Sequence, residues 1–169
     1  PTDSGYALGC KLEDKNAMER ICRIRQLDGN HNFTLMCRDL SELSTYAHVD
    51  NTAFRLIKNN TPGNYTFILK ATKEVPRRLM SEKRKTIGLR VPSNPIALEL
   101  LEALNEPMMS TSLMLPGNDF TESDPEAIQD EIGKLVDLII HGGYLGQQPT
   151  TVIDLTENTP EIIREGVGD

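Results

Sequence analysis

Short apolar segments alternate with amphipathic segments along this chain, and that alternation constrains its fold most strongly. Asn94-Pro95 and Asp124-Pro125 each place a capping side chain before a proline that can occupy the first helical position. Apolar residues at helical spacing predict further helices at 16–26, after Asp39 and after Asp50. Predicted strands cover residues 33–37, 65–69, 86–91, 108–112, 138–140, 151–155 and 162–164, and residues 1–9 read as a strand end that runs into a turn. Because some strand pairs have no helix between them, this order predicts a layered α/β domain with a mixed sheet.

The composition fits one domain that spans residues 1–169. A chain of 169 residues can bury roughly 70% of its unfolded surface. No apolar run approaches the ~20 residues of a membrane span, so we expect a cytoplasmic protein without a membrane partner. Cys10, Cys22 and Cys37 are scattered through apolar segments, which predicts reduced core thiols. The three histidines are far apart in the sequence, which predicts no built-in metal site, and the oligomeric state stays open.

Charge is distributed very unevenly along the chain. Residues 1–90 carry 16 Lys and Arg against 10 Asp and Glu, whereas residues 91–169 carry 2 against 15. Basic residues are concentrated in residues 70–85, which we call the basic segment: Lys70, Lys73, Arg77, Arg78, Lys83, Arg84 and Lys85. Such a cluster is either a solvated charged loop or a surface for a polyanion such as double-stranded RNA or tRNA.

Three consecutive hydroxyl residues interrupt the apolar strand predicted at 108–112. Ser110 and Ser112 could be small core residues whose hydroxyls bond nearby carbonyls. Alternatively, the end of this strand could present these hydroxyls and backbone N–H groups at a sheet edge, where an anionic ligand would bind. The sequence of this strand alone leaves both interpretations open.

Common nucleotide-binding and hydrolase motifs are absent from the sequence. Arg90 ends a predicted strand and could form bidentate bonds to a carboxylate or phosphate, or a surface ion pair. Several hydroxyl side chains lie at or near other predicted strand ends and could converge on the same ligand: Thr2, Thr66, Ser110, Ser112 and Thr151.

Five motifs, taken in order, resemble the YrdC-like family from end to end. They are Pro1 to Cys10, Pro62 to Leu69, Lys83 to Pro92, Pro107 to Ser112, and Pro149 to Asp154 with Arg164-Glu165-Gly166. The resemblance implies a twisted, mixed sheet around a concave basic cavity. It also implies that an additional helix and strand precede the Pro-Thr turn, as in relatives.

Members of that family with the best-defined activity are threonylcarbamoyl-adenylate synthases, which combine threonine, bicarbonate and ATP, with Mg²⁺, for tRNA modification. The resemblance assigns Thr2 and Arg90 to the threonine part, and we expect Arg25 and Thr66 to contribute to substrate binding. Ser110, Ser112 and Arg164 would contact the nucleotide, and Thr151 is expected beside them. No side chain is expected to act as a nucleophile or general base, because this chemistry rests on positioning and charge neutralisation.

Two departures from the synthase pattern predict weakened or redirected activity. Arg25-Gln26-Leu27 stands where synthases have Lys-x-Arg, and Ser112-Leu113-Met114 stands where they have Ser-x-Asn. Losing one charge-assisted contact from a pre-organised site costs on the order of 2 to 4 kcal/mol. Two alternatives to a synthase follow: a non-catalytic double-stranded RNA or tRNA binding protein that uses the basic segment, or a protein with a structural or regulatory role.

Overall fold

Capping side chains set where the helices of the computed structural model begin. The structure describes residues 1–27, 31, 33–146, 149–166 and 168. Its helices are α1 (Lys15–Arg25), α2 (Leu40–Tyr46), α3 (Asn51–Asn60), α4 (Pro95–Leu104) and α5 (Pro125–Ile132). Asp14, Asp39, Asp50, Asn94 and Asp124 accept hydrogen bonds from backbone N–H groups of the first turns. The predicted helix starts are therefore confirmed.

Within the described residues, seven strands form one mixed sheet. They are β1 (Ala7–Lys11), β2 (Thr34–Met36), β3 (Tyr65–Lys70), β4 (Thr86–Arg90), β5 (Met108–Ser112), β6 (Thr151–Asp154) and β7 (Glu161–Arg164). The order across the sheet is β1-β5-β2-β4-β3-β6-β7, with parallel pairs β2·β4 and β3·β6 and antiparallel pairs elsewhere. The predicted mixed α/β fold is confirmed.

Two strand predictions are wrong. Residues 138–140 form no strand; Leu138, Ile139 and Ile140 line an apolar groove instead, with Leu138 exposed and the two isoleucines partly buried. At the amino-terminal end the turn precedes the strand: Thr2 and Gly5 form an isolated bridge, and β1 begins at Ala7. Gly5 permits the turn because its φ is 120° and a Cβ there would lie 2.6 Å from Thr121 Cγ2.

The strand register divides side chains between two faces of the sheet. One face joins the buried core, in which strand residues such as Leu35 and Phe67 meet Ile21 of α1, Leu43 of α2 and Ile57 of α3. The other face carries most of the small and polar residues, and we call it the polar face. Its strand positions include Ala7, Gly9, Thr34, Met36, Thr66, Ile68, Gly88, Arg90, Ser110, Ser112, Val152, Asp154 and Arg164.

Strand β1 has β5 as its partner on one side, and an apolar groove of about 480 Å³ runs along it. Side chains of α1, α4 and residues 136–140 line this groove together with Met36 and Met108. No helix in the described ranges is long and apolar enough to cross a membrane.

Candidate functional site: a buried arginine on the polar face

Arg90 is a buried cation at the end of β4, with 6% of its surface exposed. Its Nη1 donates to Ser4 Oγ at 3.3 Å, whereas Nε and Nη2 are buried without a hydrogen-bond partner. Nε and Nη2 form one side of the planar guanidinium, a fork that matches the two oxygens of a carboxylate. Because an unsatisfied buried donor is unfavourable, this open fork marks a place where an anion would bind.

The turn at residues 2–5 supplies the groups next to Arg90. Asp3 Oδ2 lies 3.8 Å from Arg90 Nη2, and its side chain accepts hydrogen bonds from Ser93 N and Ser93 Oγ at 2.7 and 2.9 Å. Burial lowers the pKa of Arg90, the charge of Asp3 opposes that shift, and the charge of Arg164 adds to it. Thr2 Oγ1 donates to Gly5 O at 2.6 Å, so the hydroxyl of this predicted site residue closes the turn.

A row of hydroxyls links the polar face to β7. Thr66 Oγ1 lies 2.8 Å from Thr150 Oγ1 in a buried hydrogen bond. Arg164 donates to Thr150 through Nε and Nη2, at 3.1 and 2.9 Å to the carbonyl oxygen and 3.0 Å to the hydroxyl. Thr66, Thr150 and Arg164 therefore lie together at one border of the polar face.

Ser110 and Ser112 share the polar face, as their spacing requires. The strand that carries them lies between β1 and β2, and Ser112 is its last residue. Ser110 is buried, and its Oγ donates to Thr34 O at 3.4 Å. Gly88 lies beside this row, where a Cβ would come within 3.1 Å of Thr34 Oγ1 and 3.3 Å of Thr66 Cγ2. A side chain at Gly88 would therefore crowd Thr34 and Thr66, which explains why glycine suits this position.

Two predicted residues point away from this face. Thr151 pairs with Tyr65 on the opposite face, where its Oγ1 donates to Gly168 O at 2.9 Å. Arg25 donates to Thr111 Oγ1 at 2.6 Å and Met114 O at 3.2 Å, and Thr111 pairs with Leu8 on the core side. The structure therefore does not bring Thr151 and Arg25 together with Arg90.

The basic segment is mostly exposed, but two of its arginines bond other parts of the chain. Arg78 donates to Leu12 O. Arg84 pairs with the buried Asp154 at 3.1 Å and also donates to Thr156 Oγ1. Burial alone would raise the pKa of Asp154, but hydrogen bonds from Thr156 and the charge of Arg84 lower it overall. The other basic side chains are exposed: Lys70, Lys73, Arg77, Lys83 and Lys85.

Sequence reasoning missed Asp3, Ser4, Ser93 and Thr150 as parts of the site. Asp3 and Ser4 directly follow Thr2 in the Pro-Thr motif, and Thr150 directly precedes Thr151, so the motifs contained them. Among the described residues no group of three or more His, Cys, Asp or Glu could hold a metal ion. The carboxylates of Asp3 and Asp154 already accept hydrogen bonds, so Mg²⁺ at this face would depend mainly on the phosphates of a nucleotide.

Comparison with known proteins gives consistent matches over the whole chain. The Sua5/YciO/YrdC family model, described as telomere recombination, matches residues 1–166. Escherichia coli (strain K12) YciO is 82% identical over 169 residues, which cover 100% of this chain and 82% of YciO. The threonylcarbamoyl-AMP synthase of Pyrococcus abyssi (strain GE5 / Orsay) is 31% identical, with 98% of this chain and 49% of the synthase covered.

Solved structures show the same fold. The crystal structure of E. coli YciO superposes with a TM-score of 0.95, covering 100% of this chain and 82% of that chain. P. abyssi Sua5, crystallised with L-threonine, superposes with a TM-score of 0.89 at 28% identity, covering 98% of this chain and 49% of Sua5. The chain thus spans about half the length of that synthase.

Proposed function

Because the chain belongs to the Sua5/YciO/YrdC family, we propose that it is a nucleotide-binding protein related to threonylcarbamoyl-AMP synthases, with weakened or redirected activity. The proposed reaction combines threonine, bicarbonate and ATP in a tRNA-modification pathway. The amine of threonine first bonds to the carbon of bicarbonate, and water leaves to give a carbamate. A carbamate oxygen then bonds to the α-phosphorus of ATP, the bond from that phosphorus to the bridging oxygen breaks, and pyrophosphate leaves. Such a transfer needs positioning and charge neutralisation rather than a side-chain nucleophile.

One observation carries the proposal: the open Nε and Nη2 fork of the buried Arg90. A planar fork in a buried site selects a planar anion with two oxygens, and the carboxylate of threonine has that geometry. Ser4 holds the other side of the guanidinium, so the fork is oriented before a ligand arrives. That P. abyssi Sua5 was crystallised with L-threonine supports an amino acid as the occupant.

A nucleotide would occupy the remainder of the polar face. Ser110 and Ser112 would supply hydroxyl groups on β5, next to the edge strand β1, and Arg164 would supply a cation on β7 at the opposite border. Mg²⁺ would enter bound to the phosphates, where it would supply further charge neutralisation.

The two departures from the synthase pattern are the basis for proposing weak activity. Leu27 is partly buried and packs against the core. An arginine at this position would have to turn its side chain away from the core to reach a ligand. Met114 accepts a hydrogen bond from Arg25 through its carbonyl oxygen, so replacing its side chain by Asn leaves that bond available. Restoring both polar groups tests whether the rest of the site is competent.

The experiment is isothermal titration with L-threonine, and with ATP and Mg²⁺, together with an assay of threonine- and bicarbonate-dependent pyrophosphate release. We expect saturable threonine binding, slow pyrophosphate release, and a higher rate in the Leu27→Arg, Met114→Asn double variant. Folding of that variant is checked by thermal denaturation. Absence of threonine binding, ATP binding and pyrophosphate release in the folded protein would exclude the proposal.

The exposed part of the basic segment favours a second function, the binding of double-stranded RNA or tRNA. Five exposed cations are available to phosphates, and A-form helices are recognised mainly through backbone and minor-groove features. Replacing Lys83 and Lys85 by Gln should weaken binding to a 20-base-pair RNA and flatten its dependence on salt. The matched control replaces Lys15 and Lys58, which are exposed on α1 and α3. Affinity that does not change between 50 and 200 mM salt, about the range over which phosphate contacts are screened, would contradict this function.

A further inference from the structure

Asp3 is the anion nearest to the Arg90 fork, yet its position keeps it from bonding the fork. Its Oδ2 lies 3.8 Å from Arg90 Nη2, beyond hydrogen-bond distance. Both side chains are at least nine-tenths buried. Arg90 thus has a nearby negative charge but lacks an acceptor for two of its donors.

Ser93 accounts for the position of Asp3. Its backbone N donates to Asp3 Oδ2 at 2.7 Å, and its hydroxyl donates to Asp3 Oδ1 at 2.9 Å. Both oxygens of the carboxylate are therefore held from the side of the 91–94 connection, which follows β4 and precedes α4. A movement of about 1 Å would bring Asp3 within hydrogen-bond distance of Arg90, because such bonds span about 2.7 to 3.2 Å.

We propose that Ser93 is a positioning residue that holds Asp3 away from the Arg90 fork, so that Asp3 balances the charge of the arginine without occupying its donors. The relevance to ligand binding rests on the proposed function, in which the fork receives the carboxylate of threonine. Without the Ser93 hydroxyl, Asp3 turns toward Arg90 and competes with that carboxylate. The Nε and Nη2 donors of Arg90 thereby remain available to a ligand while the charge of Asp3 balances that of the arginine.

Three variants separate this role from a general structural one. Ser93→Ala removes the hydroxyl and keeps the backbone donor, and we expect threonine affinity to fall about tenfold, the value of one hydrogen bond to a charged group. Ser93→Ala combined with Asp3→Asn removes the competing charge, and we expect affinity within about threefold of the original. Ser93→Thr keeps the hydroxyl and should bind like the original protein.

The measurement joins calorimetry with nuclear magnetic resonance of the Arg90 Nε–H group. Closure of Asp3 on the fork predicts a downfield Nε–H shift in Ser93→Ala that the double variant reverses. Ser44→Ala, which removes an exposed hydroxyl on α2, serves as the matched control. Thermal denaturation establishes that each variant is folded.

Two results would overturn the inference. One is an Nε–H resonance in Ser93→Ala that stays where it is in the original protein. The other is a folded double variant that binds threonine as weakly as Ser93→Ala. If the original protein binds no threonine, the proposed function fails, but the Nε–H resonance still decides whether Ser93 restrains Asp3.

Discussion

Replacing Arg90 by lysine keeps the positive charge and removes the planar fork. Arg90 is buried, and its Nε and Nη2 donors share one side of the guanidinium. A lysine ammonium at the same place is a compact charge that cannot reproduce two parallel N–H donors. The substitution therefore tests geometry rather than charge.

The magnitude follows from the bonds that the lysine cannot make. A hydrogen bond to a charged group contributes about 1.5 to 3 kcal/mol, and the fork provides two of them. Because lysine can retain part of one, we expect a loss of about 2 to 4 kcal/mol in threonine binding, roughly 30- to 1000-fold in Kd. ATP affinity should change less than tenfold if the nucleotide contacts Ser110, Ser112 and Arg164 instead.

Titration calorimetry with L-threonine and with ATP measures both affinities in the same preparation. Arg55→Lys is the matched control because Arg55 is exposed on α3. The reasoning is refuted if folded Arg90→Lys binds threonine within twofold of the original protein. Equal losses for threonine and ATP would show that Arg90 serves both ligands, contrary to the assignment.

Three further predictions concern stability, each measured by urea denaturation. Leu35 lies on the inner strand β2 with 0% exposure, so Leu35→Ala should lower the free energy of unfolding by about 2 to 5 kcal/mol. Leu138 is 74% exposed, so Leu138→Ala should change it by less than about 0.5 kcal/mol, and similar losses would contradict the assigned core. Asp50→Ala should lower the free energy of unfolding by about 1 kcal/mol, because Asp50 caps α3 by accepting a hydrogen bond from Ala53 N. An unchanged urea midpoint would contradict that cap. Burial raises the pKa of Cys10 from 9.0 to about 11, so the unfolded thiol ionises first and stability falls as pH rises from 9 towards 11. Relative to Cys10→Ala, the free energy of unfolding of the original protein should fall by about 1.4 kcal/mol between pH 8 and pH 10. Parallel pH profiles of the two proteins would argue against the raised pKa.

Local signals predicted the helices well because caps act over a few residues. Asn94-Pro95 and Asp124-Pro125 fix a helix start through one side-chain acceptor and one restricted φ, without reference to the rest of the chain. Local signals do not predict the order of strands in the sheet, because that order depends on contacts between residues far apart in sequence. For example, β5 lies between β1 and β2. Residues 138–140 show the same limit, because an apolar run can line a groove without joining a sheet.

The candidate site was predicted in part for a related reason. Arg90, Ser110 and Ser112 came from motifs, and the register places them on one face. Thr151 was predicted in the site but lies on the opposite face, because neighbouring residues in a strand point to opposite sides. The residue before it, Thr150, forms the hydrogen bond with Thr66. Asp3 and Ser93 are 90 residues apart in sequence, so their hydrogen bonds follow from the fold and no local motif indicates them.

The ion pair between Arg84 and Asp154 connects the basic segment to the polar face. Asp154 lies opposite Ile68, Ile68 lies opposite Gly88, and Gly88 is two residues from Arg90. Strand spacings of about 4.8 Å and a rise of about 3.3 Å per residue place the backbones of Asp154 and Arg90 about 12 Å apart. That separation is comparable to the Debye length of about 8 Å at physiological ionic strength. A polyanion on the basic segment and an anionic ligand at Arg90 would therefore repel each other, and raising the salt concentration would uncouple their occupancies.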